Sequence, residues 1–409
     1  MRFSLPASRA QPINLPSNTA MITIVAAPDK FKGSQSAEEA ADAIERGVHR
    51  VWPRARVVKV PMADGGEGTL RALVRATGGR IFHRCVMGPL GEPVRAAFGV
   101  LGDGGTAVIE MAEASGYRLV PAARRNPLVT TTYGTGELIL AALRHGCRRL
   151  IVGIGGSATN DGGSGMAQAL GARLLDVRGR ELPVGIGGGA LHRVAKIDLS
   201  KFQISNFKLE ILVASDVRNP LVGPRGASAV FGPQKGATPA MVKQLDANLR
   251  HWARVIAECG RRNAEYKALT TFPGGGAAGG LGAGLRAFLN ARFRPGVEIV
   301  IEHSRLAEKL RGADLVITGE GRLDRSTLDG KAPFGVARLA RRLGVPVIAI
   351  GGSLVPEAEA AFRRAGFAAA LPLMTEPMTL EEAMAQSNAL LEATTARAMA
   401  LVRIGVRKT

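Results

Sequence analysis

Charged and hydroxyl side chains recur just after short apolar runs of this chain. They are Asp29, Lys30 and Lys32; Asp64 and Glu67; Ser157 and Asp161; Asp216; and Glu320, Arg322 and Asp324. Glycines sit among them, at Gly65-Gly66 and Gly155-Gly156. Glycine lets a backbone approach an anion closely. Phosphoryl transfer needs an anion cradle, Mg²⁺ held by carboxylates, cations on the transferring group, and an aspartate to orient or deprotonate a hydroxyl. All of these parts are present. The common phosphate signatures are not: there is no GxxxxGK[ST], no VAIK or HRD set, and no GxGxxG after the first apolar run. The residues alone read as a phosphate-handling α/β enzyme.

The elements that must position these groups can be read from the pattern. Leu150 to Ile154 is a β-branched apolar run, read as a buried strand. It breaks at Gly155-Gly156, passes Ser157, Thr159, Asn160 and Asp161, and opens a helix over about 163–170. A strand that ends in glycines at a helix start points N–H groups at an anion. Ile22 to Ala27 and Arg56 to Val60 read as strands, each followed by a polar turn and a helix, with Ser36 and Glu39 forming a capping box. Residues 79–120 alternate between hairpin-like strands and turns. Further strands are expected at Lys208 to Ala214, Ala313 to Thr318 and Val345 to Ile350, and helices at about 134–145, 239–259, 333–343, 356–365 and 379–403. The glycine-dense Gly274 to Gly284 is read as a structured turn.

The fold expected is α/β: a doubly wound, mostly parallel flavodoxin/Rossmann-like sheet with a second, inserted α/β domain. The first domain is assigned to 21–78, 125–170 and 295–375, and the second to 79–124 and 171–294. Residues 1–20 are assigned to a disordered extension and 376–409 to a C-terminal helix with a basic tail. Ligands of open α/β sheets lie beyond the strand carboxyl ends, so the polar turns are expected to converge.

Composition narrows the choice. With 54 Lys and Arg against 34 Asp and Glu, the net charge is +20, and 46% of the residues are hydrophobic but only 4% aromatic. Basic residues are scattered, without an interleaved aromatic run for stacking bases, so they are read as steering an anionic substrate and no nucleic-acid partner is expected. Cys85, Cys147 and Cys259 lie far apart, without zinc spacing, as small core residues of a reduced cytoplasm. No apolar run reaches the ~18 residues of a spanning helix, and residues 1–20 lack the apolar core of a signal peptide. A cytoplasmic protein without a membrane partner is expected.

Eight blocks now carry a resemblance: APDKFKGSQSA (27–37), PMADGGEGT (61–69), IEMAEASG (109–116), NPLVTTTYGTGEL (126–138), GIGGSATNDGGSGM (153–166), ASDVRNPLVGPRGASAVFGPQKGA (214–237), GGGAAGGLGAG (274–284) and ITGEGRLDRSTLDGKAPFGVA (317–337). In this order the chain resembles the bacterial glycerate kinases that lack a P-loop, over about 21–375. Two departures stand out, Lys30 where the family often has Ser and Ser326 where it often has Gln. The resemblance implies ATP- and Mg²⁺-dependent phosphorylation of glycerate, usually to 2-phosphoglycerate, by two α/β domains closing over a cleft; a homodimer is compatible with it. Under it, Asp216 is assigned as base, and Lys32 and Arg322 as clamps on the substrate carboxylate. Asp64, Asp161 and Asp324 are assigned to Mg²⁺. Asp29, Lys30, Gly65, Gly66, Glu67, Gly155, Gly156, Ser157, Asn219, Lys235 and Glu320 are assigned to substrate or nucleotide. Glu320 and Asp324 could instead order Arg322, and a surface position is expected for Lys235. A kinase for another small hydroxyacid and a basic nucleic-acid binder remain as alternatives.

Overall fold

The computed structural model describes residues 21–204, 208–259, 265–374 and 376–406. Along the chain come strands β1 (Thr23–Ala26), β2 (Arg56–Lys59), β3 (Arg80–Met87), β4 (Pro93–Val100), β5 (Thr106–Glu110), β6 (Arg149–Gly153), β7 (Arg173–Leu175), β8 (Lys196–Asp198), β9 (Glu210–Ala214), β10 (Arg292–Arg294), β11 (Leu315–Leu323), β12 (Val347–Leu354) and β13 (Ala369–Pro372). The chain divides into two compact units, residues up to Asp64 together with Val297 onward, and Gly65–Gly296. The expected 1–20 extension and the last residues of the tail, 407–409, lie outside the described residues.

The first unit is a five-stranded sheet in the order β13-β12-β11-β1-β2, parallel throughout. Counted within the unit, this is the 2-1-3-4-5 order of flavodoxin-like folds. The order reverses between β1 and β11, where Ile24 faces Leu315. The helix Ala37–His49 follows β1 and starts at the expected capping box: the Glu39 N–H donates to Ser36 Oγ at 3.2 Å, and the Ser36 N–H to Glu39 Oε2 at 2.8 Å. Its buried Ala40, Ala41, Ile44 and Val48 join Ile24, Ile317, Leu391 and Met399 in one core. The helix Ser387–Val406 crosses it at Gly47, where a Cβ would lie 2.5 Å from the Glu392 carbonyl oxygen.

One buried side chain works against this core. Gln35 is only 5% exposed, and among the described residues neither amide atom has a hydrogen-bond partner. A buried polar group without a partner costs roughly 1–3 kcal/mol. Gln35→Leu is therefore expected to stabilise the protein by about 1–2 kcal/mol. The reading is a higher urea midpoint at unchanged slope; a lower midpoint would show that the amide is satisfied after all.

The second unit is a six-stranded sheet in the order β10-β9-β6-β5-β4-β3, with a two-stranded β7-β8 ribbon. The meander β3-β4-β5 is antiparallel, and β5, β6, β9 and β10 run parallel. The glycine-dense 274–284 segment is indeed built in. A Cβ at Gly279 would come 1.9 Å from the Thr159 carbonyl oxygen, and one at Gly284 2.7 Å from the Gly162 carbonyl oxygen.

The α/β class with an inserted second unit is as expected, but the boundaries differ. Residues 65–78 and 125–170 belong to the second unit, because β6 pairs with β5 and β9 and not with β1. The C-terminal helices complete the first unit. The expected strand ending at Thr318 runs on to Leu323, paired with β12 as far as Leu354, so Glu320 and Arg322 lie in the strand. Of the three cysteines only Cys147 is buried, and Cys85 is exposed.

Candidate active site

The strand-end groups fall into two sets, one on each sheet. In the first unit, β1 and β11 flank the switch point, the usual ligand position of such sheets. The Asp29 N–H donates to the Gly319 carbonyl at 2.8 Å, and Thr318 Oγ1 to the Ala27 carbonyl at 2.7 Å, so the two strand ends are fixed to one another. Asp29 is buried, and burial, helped by the charges of Asp64 and Glu320, pushes its carboxyl up to about 8. Glu320 is 8% exposed; burial raises it as well, opposed by Thr327 and Lys331. Among the described residues its Oε1 has no hydrogen-bond partner, and its Oε2 lies 3.3 Å from Lys331 Nζ. Lys32 and Arg322 are exposed, and the Lys32 backbone passes beside Gly321, whose Cβ would lie 3.2 Å from the Lys32 backbone nitrogen.

The proton on Asp29 has a measurable consequence. The native state keeps it to about pH 8, whereas the ordinary carboxyl value is 3.8. Between these values the native state binds more protons than the unfolded chain, so stability falls as pH rises. The contribution is complete below about 4 and lost above about 8. Asp29→Asn is expected to flatten this decline and to exceed the parent in stability at alkaline pH. Denaturation midpoints measured across pH check this; parallel curves for the two proteins would refute it.

In the second unit, β6 and β9 are neighbours and Gly153 faces Ala214. Their following loops therefore leave the sheet side by side, one carrying Gly155, Gly156 and Ser157, the other Asp216 and Asn219. Gly65 and Gly66 lie across both ends. A Cβ at Gly65 would meet the Ala214 carbonyl oxygen at 2.9 Å, and one at Gly155 would meet the Gly66 Cα at 2.9 Å. Gly65 also has φ +91°, a conformation that L side chains rarely adopt. Glu67 is ion-paired with Arg118. Asp216 is exposed on its loop, and the Asn219 side chain donates to the Arg225 carbonyl at 2.8 Å.

Lys235 departs from expectation. It is 2% exposed, not on the surface, and its Nζ donates to Ser157 Oγ at 2.7 Å and to the Thr159 carbonyl at 2.6 Å. Burial lowers its ammonium to about 7, although the Asp161 charge pulls the other way. A lysine buried at a glycine loop with its pKa lowered toward neutrality is a candidate for a functional group.

Of the carboxylates expected at Mg²⁺, Asp161 and Asp324 are engaged by protein partners. Asp161 is fully buried with its acceptors occupied: Oδ2 takes the Thr132 N–H and Oγ1, each at 2.8 Å, and the Gly165 N–H at 3.3 Å, while Oδ1 takes the Gly163 N–H at 3.1 Å. Burial raises its carboxyl, against these bonds. It ties the β6 turn to the Thr132 turn. Asp324 caps the short helix Arg325–Asp329, pairs with Arg322 at 3.4 Å, and is lowered chiefly by the Ser326 hydroxyl. Asp64, in the first unit, keeps carboxylate neighbours, Asp29 and Glu320. Among the described residues no three His, Cys, Asp or Glu side chains meet as a metal site. Mg²⁺ commonly needs only one or two carboxylates beside phosphates and water, and the orphaned Glu320 oxygen fits such a ligand.

Thr132 was not among the expected site residues. Only the TTTYGTGEL run signalled Thr132, whose hydroxyl also accepts the Met166 N–H at 3.0 Å.

A family model described as the glycerate kinase family matches residues 24–403. The chain belongs to the glycerate kinase family. Among curated members it is 53% identical over 372 residues to a glycerate kinase of Halalkalibacterium halodurans, covering 91% of this chain and 96% of that one. It is 51% identical over 360 residues to a protein of Escherichia coli K12 named glycerate 2-kinase, covering 88% and 92%. A crystal structure from Salmonella typhimurium LT2, bearing the provisional name glycerate kinase 2, superposes with a TM-score of 0.83 at 48% identity, covering 95% of this chain and all of that one. The α/β architecture described above is thus also found in a solved structure related to the family. Among the described residues no helix of this family member is long and apolar enough to cross a membrane.

Proposed function

We propose that the protein is an ATP- and Mg²⁺-dependent glycerate kinase that phosphorylates the 2-hydroxyl. Family membership supports the substrate class, and the printed name of the Escherichia coli relative supports the position. The observation that carries the chemistry is the buried Lys235 on Ser157, at a glycine loop beside the loop of Asp216.

In this reading the Gly155–Ser157 backbone and the Lys235 ammonium hold an oxyanion. Asp216 accepts the proton of the attacking hydroxyl; its exposure suits a base that must meet a substrate. On the first unit, Asp64 and Glu320 would hold Mg²⁺, which when bound neutralises phosphate charge. Lys32 and Arg322, the latter also paired with Asp324, are exposed cations that would meet an anion. Asp29, protonated at neutral pH, donates a hydrogen bond and adds no charge to its acidic neighbours.

The test is ADP release with ATP, Mg²⁺ and D-glycerate, with enolase added to read the product. Turnover consumed at once by enolase fits a 2-kinase. Turnover that needs a mutase first would move the reaction to the 3-hydroxyl. A folded protein inert on glycerate but active on tartronate or glycolate would replace the substrate with another hydroxyacid.

A further inference from the structure

Beside the β6 loop, a ring of contacts closes on a cation that has no carboxylate partner among the described residues. Ser157 is bridged to Gly116, and the next residue, Tyr117, donates its N–H to the Gly156 carbonyl at 2.8 Å. The Arg125 guanidinium lies over the Tyr117 ring, 3.8 Å from its centroid. The Arg125 backbone in turn packs on Gly236, where a Cβ would come 2.4 Å from the Arg125 carbonyl oxygen. Gly236 follows Lys235, whose Nζ returns to Ser157.

The two arginines that precede Arg125 in sequence are ion-paired, Arg118 with Glu67 and Arg124 with Glu92. Among the described residues Arg125 has no carboxylate partner, and its half-buried side chain leaves Nε enclosed without an acceptor. Arg286, stacked 4.3 Å over Phe272, shares the enclosed Nε, but no such chain of contacts ties it to Ser157 and Lys235. Stacking on an aromatic ring fixes the guanidinium plane and lowers the cost of ordering it. A planar, pre-ordered fork without an acceptor is built for a two-oxygen anion.

The geometry points to Arg125 as a further substrate-binding residue: with Lys235 and the Gly155–Ser157 loop it forms an oxyanion site on the second unit. The oxyanion is the carboxylate of the hydroxyacid or a phosphate of the nucleotide, which share this chemistry. The inference deepens the kinase reading and rests on it for the identity of the ligand.

Arg125→Met keeps a side chain over Tyr117 and removes the fork. It is expected to lower kcat/KM by about 10–100-fold, the cost of a lost charge-assisted pair, with partial recovery in Arg125→Lys. A rise in KM for glycerate at unchanged KM for ATP assigns the carboxylate; the reverse assigns the phosphate. A folded Arg125→Met protein with both constants and kcat within about twofold of the parent would overturn the site. A second measurement needs neither a variant nor turnover. Phenylglyoxal labelling of Arg125 in the parent protein, read by peptide mass, should slow with glycerate or inorganic phosphate. Labelling that neither ligand slows would also overturn the proposal. Absence of glycerate turnover with phosphate protection intact would sink the kinase reading and leave the oxyanion site standing.

Discussion

Lys235→Met is expected to leave the protein folded and to lower kcat/KM for glycerate by about 10²–10³-fold, the usual cost of losing one pre-placed electrostatic group. The fold should survive because methionine fills the same space and removes a charge that burial penalises. Lys235→Arg should retain more activity than Met if charge is what matters. The pH profile carries a separate signature. In the free protein the ammonium loses its proton at about 7, so kcat/KM should fall on the alkaline side of that value. A bound oxyanion favours the charged form, so the matching limb in kcat should lie higher. The arginine variant should lack both limbs. Stability moves the other way. The native value lies below the ordinary 10.5, so the contribution is present above 10.5 and lost as pH falls through about 7. The methionine variant should then be the more stable protein in acid. A Met variant with parental kcat/KM would remove Lys235 from the site.

Asp216→Asn is expected to lower kcat by about 10²–10⁴-fold, the range for loss of a general base, with a much smaller change in KM. Asp216 is exposed on the loop after β9, so the substitution should not move the melting temperature. Steady-state rates and a melting curve on the same sample test this. Loss of kcat together with loss of folding would assign Asp216 to the loop, as would a kcat within tenfold of the parent.

Much of this architecture was legible because it is written locally. The 3.6-residue period and the Ser36–Glu39 box place the first helix almost to the residue. Glycines mark the β6 loop, and the 79–120 alternation marks the β3-β4-β5 meander. What escaped depends on partners far along the chain. The texture around β6 resembles that around β1, yet β6 is placed by β5 and β9, and neither pairing has a local signature. The same holds for Lys235, whose burial depends on Ser157 and Thr159 far upstream. Asp161 looked like a metal ligand because an aspartate in a glycine turn suits both roles. The Thr132 and Gly165 donors, distant in pattern though not in space, are what its oxygens meet in the fold. Arg125 gave no signal, because an arginine among arginines does not reveal which of them lacks a carboxylate.

The placement of the second unit within the first has a consequence for synthesis on the ribosome. β1 is made first, yet one of its two neighbours, β11, follows residues 65–296. At roughly 5–20 residues per second that wait is on the order of 10–50 s, while the second unit, one continuous stretch, can collapse as it emerges. Until β11 arrives, the edge of β1 is open to strands of neighbouring nascent chains. The interval between the two halves of the first sheet is therefore where misassembly, and the help of chaperones, should concentrate.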